Sequence, residues 1–121
     1  MRRELAEMAQ YAFGSVWALE LLIVLHREPA RDWSRSELVR ELRSSDVVVD
    51  ESIAKLSANG LVTIGAAGTA RYGPATNDLD DLVRELLQEY QAKPAAVRRL
   101  IVQGSADKLR TFADAFRLKP E

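Results

Sequence analysis

The residues able to do chemistry in this chain are few, and most have a simpler use. His26 is the only histidine and there is no cysteine, so an imidazole here has neither a second metal ligand nor a thiol to activate. It ends an apolar run, where a structural role accounts for it. Asp78, Asp80 and Asp81 lie close enough to suggest a paired acid and base. Their place in the first turn of an expected helix explains them instead, because the positive end of the macrodipole favours acids there. Gly65 and Gly68 lack the lysine and flanking order of a phosphate-binding loop. Ser15, Ser34, Ser45 and Ser105 each precede a helical pattern, as caps do, and no base is spaced to activate one. Binding is the expected activity, with no catalysis, no metal and no cofactor.

What remains is charge. Arg31, Arg35, Arg40 and Arg43 form one cluster, with Arg2, Arg3, Arg71, Arg98 and Arg99 dispersed elsewhere. Directly after the cluster the sign reverses: between Asp46 and Lys55 three carboxylates, Asp46, Asp50 and Glu51, face one lysine. The net charge is −1, whereas a dedicated nucleic-acid binder is usually basic or carries a concentrated basic face. Val47, Val48 and Val49 are consecutive. At 100° per residue they cannot all point inward, so at least one is expected beside Asp50 and Glu51 at the surface. An apolar spot rimmed by acids suits a protein partner.

The elements that must position these residues are legible from periodicity. Leu5, Met8, Ala9, Ala12 and Phe13 recur at helical spacing over Arg2 to Phe13. Gly14 interrupts, and Ser15 caps a second helix to about Arg27, with Trp17, Leu21, Val24 and Leu25 on one inward face. Ser34-Arg35-Ser36-Glu37 reads as a capping box, and Trp33 and Leu38 occupy the staple positions around it. That helix runs to about Arg43. Ser44-Ser45-Asp46 recaps the chain for a helix carrying Val49, Ile53 and Leu56, which ends at Asn59-Gly60.

After Gly60 the period changes from helix to strand. Leu61 to Ile64, a Gly65–Gly68 turn and Thr69 to Tyr72 predict a hairpin. Asn77 is expected to cap a helix through Leu79, Leu82, Val83, Leu86, Leu87 and Tyr90. Pro94 opens a short helix that Gly104 breaks, and Ser105 caps a last one with Leu109, Phe112, Ala113 and Phe116 on its apolar side.

The 121 residues, 47% of them hydrophobic, predict one domain with a modest core that a partner or dimer would help stabilise. Met1-Arg2-Arg3-Glu4 lacks the apolar region of a signal peptide. Val16 to Leu25 is about half of a bilayer span and includes Glu20. A cytoplasmic location with no membrane contact is the expectation.

The fold class expected is mainly α with a small β-hairpin. Three helices, the last two joined by a short turn and followed at once by a hairpin, resemble the winged helix-turn-helix fold. The resemblance spans Ser15 to Ala75, with residues 1–14 and 76–121 as flanking helices of the same domain. It rests most on Leu56-Ser57-Ala58-Asn59-Gly60-Leu61-Val62 and Arg71-Tyr72-Gly73-Pro74-Ala75, and it is closest in kind to small bacterial regulators of the MarR and PadR type. It implies DNA binding: the helix after Ser45 enters the major groove and the hairpin touches the flanking backbone. Arg35, Arg40, Arg43 and Arg71 would then hold phosphates, with Ser44, Ser45, Ser52 and Lys55 at the groove. Against this, the helix's exposed start carries three acids and no arginine or glutamine to read bases. The Gly65-Ala66-Ala67-Gly68 tip offers no cation to the minor groove. The alternative is an interaction module whose Val47, Val48, Asp50 and Glu51 meet a basic protein surface. Under either reading the flanking helices are expected to build a homodimer.

Overall fold

The computed structural model describes residues 1–104; the expected helix at Ser105 to Phe116 lies outside the described residues. The elements are α1 Arg3–Tyr11, α2 Val16–Arg27, α3 Arg35–Leu42, α4 Asp46–Ala58, β1 Val62–Ile64, β2 Ala70–Tyr72 and α5 Asn77–Ala92. Residues 94–104 are also helical and are labelled α6. The chain is therefore mainly helical with one small two-stranded antiparallel sheet.

Two apolar stripes and one apolar rod make the core. Leu19, Leu21, Leu22 and Leu25 of α2 are fully buried, as a helix apolar on most sides must be. Contacts from α2 reach α3, α4 and β2, so it is the post on which the α3–α4 pair is mounted. Leu38 of α3, Val49 and Leu56 of α4, Leu61, and Val83 and Leu86 of α5 close around it, each without exposed surface. Burying one such leucine contributes roughly 2 kcal/mol. Trp17 departs from the expected inward face. It shares that face with the buried Leu21 and Val24, yet it stands in the first turn of α2 and is 42% exposed.

Local signals fix the helix ends. The Ser15 hydroxyl accepts from the Ala18 amide, and Gly14 before it takes a left-handed φ of 76°. That turn lets α1 and α2 meet at 109°. Ser34 and Glu37 make the reciprocal capping box in full. α5 is capped one residue earlier than expected: Thr76, not Asn77, accepts from the Leu79 amide at 3.1 Å. Thr76 has the extended backbone a cap needs, and Asn77 is already helical.

The hairpin pairs Val62 with Tyr72, Thr63 with Arg71 and Ile64 with Ala70. On the outer side of β2, Trp33 exchanges two backbone hydrogen bonds of 2.8 Å with Ala70. The residue read as a hydrophobic staple is thus also a one-residue third strand, which ties the α2–α3 connection to the hairpin. Tyr72 carries the tie onward, donating its hydroxyl proton to Asp80 of α5 at 2.6 Å. Burial and the Asp80 carboxylate push the phenol well above its ordinary range. His26 rests edge-on against the same ring, centroids 5.0 Å apart, in the structural place expected of it.

Gly104 is still helical and is the last of the described residues, so the break expected there lies outside them. It is buried, and a Cβ there would collide with the Gln10 carbonyl oxygen, so glycine lets α6 lie directly on α1. Across this side Tyr90 donates to Glu20 at 2.6 Å, binding α5 to α2. No single described helix is long and apolar enough to cross a membrane.

Candidate functional site

The arginine cluster and the acidic helix start, read separately in the sequence, meet in space. Arg35 leaves the first turn of α3 and reaches α4, where its Nε and Nη2 donate to the two Asp50 carboxylate oxygens at 3.0 and 2.9 Å. Its Nη1 lies 3.7 Å from Asp46. A fork-on-fork pair of this kind fixes orientation as well as charge. All three side chains stay more than half exposed, so the pair adds little to stability. Asp50 raises the Arg35 pKa through the same hydrogen bonds.

Arg31 is also occupied. It bonds Glu28 at 3.1 Å and Glu37 at 2.9 Å, and its guanidinium lies 3.5 Å over the Trp33 ring. The Ser34 amide, Arg31 and the Ser34 hydroxyl together hold the Glu37 carboxyl below its ordinary value. Glu37 is thereby occupied away from Arg40, which follows it by three residues on the same helix. Arg40 and Arg43 are exposed and have no ion pair among the described residues. Arg71 stands 3.8 Å from Asp32.

Four of the eight residues expected at DNA have other employment. Ser52 is 4% exposed, inside the α4 packing face, which corrects its placement at the groove. The spacing explains why: Ser52 sits between the buried Val49 and Leu56, three and four residues away. Ser45 spends its hydroxyl on the Val48 amide as the α4 N-cap. Lys55 is half-buried, and its methylenes run alongside Gly14, on the side of α4 away from the hairpin groove. Arg35 is the fourth, bound by Asp50. Ser44 is half-buried, and its Oγ is enclosed with no hydrogen-bond partner among the described residues.

The turn between α3 and α4 passes through Arg43 at φ 53°, the one non-glycine residue with positive φ among those described. A side chain there costs about 1 kcal/mol relative to glycine. The amides of Arg43 and Ser44 close the helix end on the Arg40 and Val39 carbonyls.

The valines divide by face: Val47 is 63% exposed, Val48 half-buried and Val49 buried. Together with Asp46, Asp50, Glu51, Ala54, Ser57 and Ala58, Val47 makes the outward face of α4, and all are exposed. This face and the hairpin enclose a groove of about 730 Å³. Ile53, Ala54, Ser57 and Ala58 form one wall, Ile64 and the Ala67–Thr69 bend the other, and Ser34 to Ser36 one end. Its only charged lining is the Arg35–Asp50 pair. A second depression of about 410 Å³ lies between α1 and α5, lined by Met8, Tyr11, Leu79 and Leu82 with Glu4 and Glu7.

The Arg35–Asp50 bond was not foreseen, because partners fifteen apart on two helices follow no spacing rule; only their opposite signs hint at it. The groove had no sequence signal at all. Among the described residues no group of three histidines, aspartates or glutamates is placed to hold a metal ion. No protein-family profile, curated protein or solved structure matches the chain.

Proposed function

We propose that this chain is a winged-helix interaction module whose α4 outer face and hairpin groove receive a protein partner. The winged-helix reading is supported by the α2–α3–α4 order, the short α3–α4 turn and a hairpin joined at its outer edge by Trp33. One observation carries the choice of a protein partner. The face that would read bases presents Asp46, Val47, Asp50, Glu51, Ala54, Ser57 and Ala58, and the cation bonded to it, Arg35, is held by Asp50. Phosphates would be repelled there, and a base edge would find no bidentate donor. The exposed Tyr11 and Val102 on α1 and α6 support a homodimer contact through the flanking helices.

A second reading, DNA binding, is favoured by Arg40 and Arg43. Both are exposed without a carboxylate partner among the described residues, and Arg43 keeps a side chain where glycine would cost less. Replacing Asp50 and Glu51 together by alanine separates the readings. If the face meets phosphates, losing two carboxylates strengthens binding to an arbitrary duplex. If it meets protein, the duplex stays unbound by both forms.

A further inference from the structure

The α4–hairpin groove is open, partly apolar and asymmetric in charge, and these three properties describe what fits it. Its walls are small or aliphatic: Ala54 and Ala58 on α4 face Ile64 on β1, which is 44% exposed although it ends a strand whose Val62 is buried. At about 730 Å³ it lies within the size range of natural ligand clefts. Two turns of α4 before Ala54, past Asp50 and Glu51, Val47 adds an exposed apolar side chain. The charge at that end does not cancel. Asp46, Asp50 and Glu51 stand against Arg35 alone, and Glu51 makes no ion pair among the described residues.

We infer that the occupant is a basic amphipathic segment of a partner protein. Its apolar side chains lie between α4 and the hairpin, and its lysine or arginine reaches Glu51 and competes with Arg35 for Asp50. This rests on the protein-partner reading above and deepens it by naming the partner's chemistry. A helical segment suits the walls best, because exposed Ala54, Ser57 and Ala58 recur at spacings of three and four and allow another backbone close. Arg35 then acts as an internal competitor that holds the acids in place until a better-placed cation arrives.

The test uses the full chain, isotope-labelled, titrated with a short amphipathic peptide of leucine and lysine and with a twin in which glutamine replaces lysine. Binding of the lysine peptide moves the amide resonances of Val47, Asp50, Ala54 and Ile64, and the twin binds roughly fivefold more weakly. Glu51→Gln, which breaks no internal ion pair, weakens the lysine peptide about threefold, and added salt weakens it further. Arg35→Gln strengthens it, where a purely structural arginine would give a loss. Equal affinity for the two peptides, no binding at millimolar peptide, or shifts confined to Met8 and Leu82 in the other groove would overturn the inference. If an arbitrary DNA duplex moves the same α4 resonances, the protein-partner reading itself fails. If neither duplex nor peptide binds, only the basic character of the partner fails.

Discussion

The inner and outer faces of α4 are built from the same thirteen residues and obey different rules. Inside, Val49, Ser52 and Leu56 are sealed against the rest of the core, and every position has a neighbour that explains it. Outside, Val47 is 63% exposed among three carboxylates, followed by small side chains that fill little space. Folding needs the first face and has no use for the second. On the reading proposed above, a bare valine and a concentration of like charge, offset only by the exposed Arg35 pair, are the surface a partner contacts.

The largest test of that contrast is truncation on either face. Leu56→Ala should destabilise the chain by about 3 kcal/mol, since it opens a cavity in a site with no exposed surface. Val47→Ala should change stability by no more than about 0.5 kcal/mol. Chemical denaturation of the two variants measures both, and a comparable loss from each would erase the distinction between the faces.

Smaller effects sharpen the comparison at the helix start. Ser45→Ala removes the N-cap acceptor of the Val48 amide and should cost about 1 kcal/mol. Arg43→Gly should stabilise by up to about 1 kcal/mol, because glycine adopts φ 53° without steric penalty. Under the DNA reading this substitution would weaken duplex binding while raising stability; under the protein reading only the stability changes.

The least effect is a pH dependence. Glu37 is held below its ordinary value of 4.5, first by the Ser34 amide and then by Arg31. A carboxyl whose folded pKa is depressed contributes stability that is present above the unfolded value and lost as pH falls through the folded one. Stability should therefore decline below about pH 4.5, and Glu37→Gln should flatten that part of the curve. An unchanged acid limb in the variant would place the sensitivity elsewhere.

Much of the architecture was legible because it follows from local rules. Ser15, Ser34 and Ser45 declare their helices by capping, and Gly60 by its left-handed end. The three valines also divided between surface and core as helical geometry requires. What escaped was everything set by encounter between distant segments. Trp33 joins β2 because α2 brings the two together, and Gly104 allows α6 to cross the α1 backbone at Gln10. For the same reason Arg35 read as a free cation, when Asp50 of the next helix commits it, whereas the burial of Ser52 was readable from its spacing to Val49 and Leu56.

On the proposed reading the outer face of α4 serves a protein and not a nucleic acid. Fluorescence anisotropy of a labelled duplex of arbitrary sequence, at low salt and again as salt is raised, tests it most directly. A DNA-binding surface gives sequence-independent affinity that falls steeply with salt. No binding is expected up to about 100 micromolar protein, a concentration at which weak non-specific binders register. Micromolar binding that fades over a slope of several released ions would contradict it, and would return Arg40, Arg43 and Arg71 to the phosphates.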